Sequence, residues 1–79
     1  MPAGSPTLAV TLHALGGVLR DRGARAEAES AFRRALDIRV AAFPKGNAAI
    51  TESATALADL LTQMGRAREA AVIRQRYGG

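Results

Sequence analysis

Three side chains in this sequence could take part in proton transfer, and their spacing decides whether they can cooperate. His13 is the only group that titrates near neutrality, and neither a cysteine nor a second histidine accompanies it. Glu52 and Asp59 lie seven residues apart, so they share one face of a helix. An acid–base pair needs an apolar pocket that raises one carboxyl pKa, and nothing in the sequence indicates one. We therefore expect a non-catalytic surface histidine and no enzymatic activity.

Arginines are the other groups that could bind a ligand, and they are concentrated at two points of the chain. Arg20, Arg22 and Arg25 form one cluster, and Arg66 and Arg68 form a second. Guanidinium groups match phosphate oxygens, so these points could form a phosphate-binding edge. Solvated turns are the interpretation that we favour. The sequence has no Gly-rich phosphate loop, nucleophile elbow or metal-ligand spacing, so neither a cofactor nor a metal is expected.

The composition limits the chain to one small domain. Its 79 residues contain no cysteine, which excludes disulfides and thiolate zinc sites. The net charge of +4, carried by ten arginines and one lysine, is weak evidence for an acidic partner. No apolar run approaches the ~20 residues that span a bilayer. The first residues lack the features of a signal peptide, so we expect a cytoplasmic protein that does not contact membranes.

The sequence nearly repeats itself at an offset of 42 residues. Placing residues 6–37 on residues 48–79 gives seven identities. They are Ala14/Ala56, Leu15/Leu57, Leu19/Leu61, Gly23/Gly65, Glu27/Glu69, Ala28/Ala70 and Arg34/Arg76. Such a period is typical of a solenoid, in which each unit buries its apolar face against the next.

Start and stop residues divide the chain into four helices. Ser5 followed by proline predicts a first helix to about Arg22, and a second begins near Ala26. Pro44 stops the second helix, and Asn47 is a candidate N-cap for a third helix over about 48–64. The fourth is predicted over 67–77. Apolar residues at helical spacing are expected to form the core: Leu15, Leu19, Phe32, Leu57 and Leu61.

The residue pattern of the first unit resembles the tetratricopeptide repeat (TPR). The resemblance is carried by Leu12-x-x-Leu15-Gly16-x-x-Leu19-x-x-x-Gly23-x-x-x-x-Ala28-x-x-x-Phe32-x-x-Ala35-Leu36. The 42-residue period and the run from Ala31 to Arg39 are similar to kinesin-light-chain-type repeats. The resemblance implies an all-α fold of two antiparallel helical hairpins, stacked as a short α-solenoid. It divides the chain into a flexible leader (1–5), a first repeat (6–46) and a second, truncated repeat (47–79).

The resemblance also implies a binding groove along the first helix of each repeat. The groove positions that we expect to contact a partner are Val10, His13, Gly17, Arg20, Glu52, Thr55, Asp59, Thr62 and Gln63. Kinesin-light-chain-type repeats carry paired asparagines before the helix A leucine. This chain has His13-Ala14 and Thr55-Ala56 there. Arg74 stands where the first repeat has Phe32, which predicts that the last helix is a cap at the end of an array.

We therefore expect a protein-interaction or assembly module that binds a protein or peptide. Two alternatives stay open. One is a nucleic-acid-binding helical repeat that uses the arginine-rich turns, although the chain has only three aromatic residues. The other is a purely structural self-assembling unit. The open end faces, formed by Leu8, Thr11 and Val18 at the first helix and by Val72 and Ile73 at the last, predict a symmetric homodimer, and we favour the first helix as the contact.

Overall fold

The computed structural model describes residues 4–78 and shows four helices. They are α1 (Pro6–Asp21), α2 (Arg25–Ala42), α3 (Ala48–Gln63) and α4 (Ala67–Tyr77). α1 packs on α2, α3 packs on α4, and α2 joins the two hairpins by packing on α3. The prediction of a short all-α solenoid of two hairpins is confirmed. The proposed leader falls largely on residues 1–3, which lie outside the described residues, as does Gly79.

Both hairpins begin in the same way, 42 residues apart. The Ser5 side chain accepts a hydrogen bond from the Leu8 amide at 3.2 Å, and the Asn47 side chain accepts one from the Ala49 amide at 2.8 Å. These caps satisfy amide donors that have no partner within the helix. Pro6 fits the first turn of α1, where its missing donor costs nothing. The starts of α1 and α3 are therefore set by local sequence.

The turns inside the two hairpins also match. Gly23 has φ +82° and Gly65 has φ +78°, a conformation that other residues rarely adopt. The amide after each glycine donates to the carbonyl five residues earlier, from Ala24 to Leu19 and from Arg66 to Leu61. This hydrogen-bond pattern ends a helix in a left-handed glycine and turns the chain back. The structure thus repeats the 42-residue register that the sequence shows.

The core lies between the helices and forms two clusters. The larger cluster joins α2, α3 and α4, and it consists of Ala28, Phe32, Leu36, Ile50, Ala54, Leu57, Ala58, Leu60, Leu61 and Ala70. The smaller joins α1 to the second half of α2 and consists of Ala9, Leu12, Ala35 and Ile38. Phe32, Leu57 and Leu61 are buried as predicted, and Leu19 is half-buried. Burial of these side chains is the main force that stabilises the fold.

The prediction that Leu15 belongs to the core is wrong. Leu15 is 45% exposed, whereas its repeat equivalent Leu57 is fully buried. Val18 is 48% exposed, whereas its equivalent Leu60 is fully buried. The difference arises because α2 packs on α3, but no helix among residues 4–78 packs on the corresponding side of α1. A periodic pattern identifies an apolar face but not the neighbour that covers it.

Within residues 4–78, no helix has the length and apolarity needed to cross a bilayer.

Candidate functional site

The nine predicted groove residues lie on α1 and α3, and none of them is buried. Val10, Glu52, Thr55, Asp59, Thr62 and Gln63 are exposed, and His13, Gly17 and Arg20 are half-buried. His13 Nε2 of α1 lies 3.5 Å from Glu52 Oε1 of α3. We call this surface the α1/α3 face.

His13 is not the exposed surface histidine that the sequence suggested. Its side chain is only 25% exposed, and its ring packs on Phe32 with centroids 5.4 Å apart. Burial lowers the pKa of His13, which outweighs the opposing attraction of Glu52. Its Nδ1 atom is buried without a hydrogen-bond partner in the described part of the chain. His13 is therefore predominantly neutral at pH 7, and it acts as part of the packing beside the face.

Glu52 is held by an arginine that sequence reasoning missed. Arg39 is only 5% exposed, and its Nη1 donates to Glu52 Oε1 at 3.0 Å. The same nitrogen donates to Ser53 Oγ at 2.8 Å and to the Ala49 carbonyl at 3.2 Å. The signal was present in the sequence, because Arg39 interrupts the apolar series that runs from Phe32 to Phe43. An arginine in such a series needs acceptors on the facing helix.

Asp59 and Thr62 are contacted from α4. Arg74 Nη2 donates to Asp59 Oδ1 at 2.7 Å, and Arg74 Nη1 donates to Thr62 Oγ1 at 3.4 Å. The arginine that replaces the aromatic residue of the first repeat thus lies across α3, exposed to solvent. It neutralises the second acidic group of the α1/α3 face. Glu52 and Asp59 are therefore each paired with an arginine.

One arginine of the second cluster, Arg66, is bound within the fold, whereas Arg68 is exposed. Arg66 Nη1 donates to Glu29 Oε1 at 2.5 Å, and Arg66 also pairs with Glu69. These bonds hold the pKa values of Glu29 and Glu69 below their usual range and raise that of Arg66. Arg33 completes the network through Glu29 at 2.9 Å. Because Arg66 fastens the second turn to α2, it is not free to bind a phosphate.

Ion binding finds no support in the side-chain arrangement. No three His, Cys, Asp or Glu side chains in residues 4–78 lie close enough together to hold a metal ion.

A comparison with protein families decides what kind of module this is. The family model described as Tetratricopeptide repeat matches residues 8–47, which is 40 of the 79 residues. The chain belongs to the tetratricopeptide repeat family. Members of this family are typically interaction modules that bind other proteins and have no enzymatic activity of their own. No curated protein and no solved structure matches the chain.

The family match covers the first hairpin, and the structure extends the same geometry to the second. The starts of α3 and α4 follow those of α1 and α2 at the 42-residue offset. The second hairpin differs mainly in α4, which has 11 residues where α2 has 18. This TPR protein therefore presents one hairpin that matches the family model and a second with a shorter last helix.

Proposed function

We propose that this TPR protein binds a segment of a protein partner along the α1/α3 face. The observation that supports this proposal is that six of the nine predicted groove residues are exposed and none is buried, while other residues of α3 form part of the core. A partner laid along this face would contact both hairpins at once. The close His13–Glu52 contact makes the face continuous across them.

The charges of the face indicate the chemistry of the partner. Glu52 and Asp59 each use one carboxylate oxygen for an internal arginine, and the other oxygen has no partner among residues 4–78. Arg20 pairs with Asp21 at 3.2 Å. Because each charge is already compensated, affinity should depend more on hydrogen-bond donors and apolar contact with Val10 than on net charge. We infer a partner segment that offers amide or basic donors beside a small apolar group.

Selection from a displayed peptide library tests this proposal. Peptides enriched on the wild-type protein are synthesised, and their dissociation constants are measured by fluorescence polarisation. Val10→Arg combined with Thr55→Arg should weaken binding at least about tenfold, because both changes place bulk and charge on the face. Ala26→Arg combined with Ala41→Arg adds the same charge at exposed positions of α2 and should leave binding unchanged. Equal binding by the two double variants would refute the proposal.

We further propose that the protein self-associates through the outer face of α1, formed by Thr11, Leu15 and Val18. The repeat equivalents of these residues are Ser53, Leu57 and Leu60, and all three are fully buried by the preceding hairpin. In the second hairpin, a helix face of this composition is covered by a neighbouring helix. Exposed apolar surface of this kind favours association.

The rim of the outer face supports a second copy as the occupant. Glu27 and Arg34 of α2 line the groove beside Leu15, on either side of Ser30 and Ala31. Neither forms an ion pair within residues 4–78. A two-fold axis near Ser30 would place Glu27 of each copy against Arg34 of the other, since equivalent patches meet in a symmetric dimer. The surface is therefore complementary in charge to itself.

A further inference from the structure

A groove of about 600 Å³ opens where the end of α2, the start of α3 and the end of α4 meet. Its apolar wall is formed by Val40, Phe43, Ile50 and Tyr77, and its rim carries Lys45 and Arg76. We call it the α4 groove. None of these residues belongs to the α1/α3 face or to the outer face of α1, so the groove is a separate surface.

In the first hairpin, whose second helix is longer, a side chain of that helix occupies the position equivalent to the α4 groove. There, Ile38 of α2 packs among Leu8, Ala9 and Ala35, and it is only 1% exposed. The 42-residue offset takes Leu8, Ala9 and Ala35 to Ile50, Thr51 and Tyr77, which all line the α4 groove. α2 continues to Ala42, whereas α4 ends at Tyr77, so residues 4–78 contain no counterpart of Ile38 against these three residues.

Gly4 and Gly46, which occupy equivalent positions at the start of each hairpin, have different surroundings. A Cβ atom placed on Gly4 would lie 3.1 Å from Cδ1 of Ile38 and 2.6 Å from Cδ2 of Leu8. A Cβ atom placed on Gly46, the residue 42 positions later, would have no neighbour within 4 Å in the described chain. Ile50, which is equivalent to Leu8, is also absent from the surroundings of Gly46, and φ is +155° at Gly4 but +88° at Gly46. The two positions therefore differ in backbone conformation as well as in their neighbours.

We propose that the α4 groove binds a partner protein segment that carries a branched aliphatic side chain next to acidic residues. The aliphatic side chain takes the place that Ile38 takes in the first hairpin, against Ile50 and Tyr77. The acidic residues are selected by Lys45 and Arg76, which are both exposed and form no ion pair among residues 4–78. Complementary charge at the rim guides the partner and fixes its orientation.

The chain itself supplies the probe for this proposal. A capped peptide that copies residues 35–42, with glutamate at the position copied from Arg39, carries the isoleucine and two acidic groups. Titration into ¹⁵N-labelled protein should shift the amide signals of Gly46, Ile50 and Tyr77. The same peptide with aspartate in place of the isoleucine should bind at least about tenfold more weakly, because the apolar wall then faces a charge.

A matched pair of protein variants tests the charge at the rim. Arg76→Glu should weaken binding of the acidic peptide about tenfold, since one of the two rim cations becomes an acid. Arg68→Glu makes the same change at an exposed position in the first half of α4 and should leave binding unchanged. Absence of shifts, equal binding of both peptides, or shifts at Val10 and Thr55 instead would overturn the proposal. The first two results would leave selection of other peptides by the α1/α3 face untouched, whereas shifts at Val10 and Thr55 would be evidence for binding there.

Discussion

Gly16 and Gly17 are neighbours in α1 but have opposite structural roles. A Cβ atom on Gly16 would lie 2.6 Å from Cδ1 and Cε1 of Phe32, so the helix can approach that ring only because the side chain is absent. At Gly17 the nearest atom would be Nη2 of Arg20 at 3.8 Å, which is ordinary contact. Gly16 is therefore required by packing, whereas Gly17 is a helix residue of low propensity.

We predict that Gly16→Ala destabilises the protein by about 1–3 kcal/mol, because the buried Phe32 ring must move. Gly17→Ala should stabilise it by about 0.5–1 kcal/mol, since alanine loses less backbone entropy in a helix. Urea unfolding followed by circular dichroism measures both. If Gly16→Ala were as stable as Gly17→Ala, the close packing of α1 on α2 would be disproved.

We predict a loss of stability on mild acidification that depends on His13. The folded pKa of His13 lies below its ordinary value of 6.5, so the unfolded chain binds a proton more readily than the folded chain. Stability is therefore complete above about pH 6.5 and falls as the pH decreases towards the folded pKa. Glu29 and Glu69, whose folded pKa values are also lowered, add a further loss only below about 4.5.

Urea midpoints measured between pH 8 and pH 5 test this prediction. The wild-type midpoint should fall over this range. His13→Asn removes the titrating group and should make the midpoint nearly constant. An equal acid-dependent fall in both proteins would assign the effect to groups other than His13.

At the level of helices, the sequence predicts a structural feature best when that feature depends on residues nearby in the chain. Ser5, Asn47, Gly23 and Gly65 set helix starts and turns through bonds to residues a few positions away, and these were predictable. Leu15 was not, because its exposure depends on which helix lies beside α1. The contacts of the candidate site likewise depend on which helices pack together, since Arg39 reaches Glu52 only when α2 packs on α3.

We predict that Arg39→Met destabilises the packing of α2 on α3 by about 1–3 kcal/mol. Methionine keeps an apolar stem in the buried site, but it leaves Ser53 Oγ and the Ala49 carbonyl without their donor. Arg25→Met changes an exposed arginine of the same helix and should stay within about 0.5 kcal/mol of the wild type. Denaturant unfolding measures both variants.

A double-mutant cycle separates the Arg39–Ser53 hydrogen bond from the general effect of removing an arginine. Ser53→Ala should cost less in the Arg39→Met background than in the wild type, because its partner is already absent. Additive effects of the two substitutions would show that Arg39 and Ser53 do not interact across the helices.

For the whole molecule, the two ends of the solenoid differ in polarity. The outer face of α1 presents Leu15 and Val18, whereas α4 presents Arg74 and Gln75 beside Val72. Head-to-tail stacking would place leucine and valine against a charged arginine and its partner Asp59, which desolvates both. Association through two copies of the apolar end avoids this cost, and it closes after two copies instead of forming a filament.

We predict a dimer that depends on Glu27 and Arg34 as well as on the apolar face. Val18→Glu should shift the protein to the monomer, because it places a charge in the apolar contact surface of each copy. The equivalent change at the other end, Val72→Glu, should leave the dimer intact.

Glu27→Arg or Arg34→Glu alone should weaken association, since each puts like charges together across the axis. The double variant Glu27→Arg, Arg34→Glu restores opposite charges and should recover dimerisation. Sedimentation equilibrium at tens of micromolar measures the wild type and the five variants. A wild-type mass of 8.2 kDa, or a double variant weaker than both single variants, would refute this arrangement.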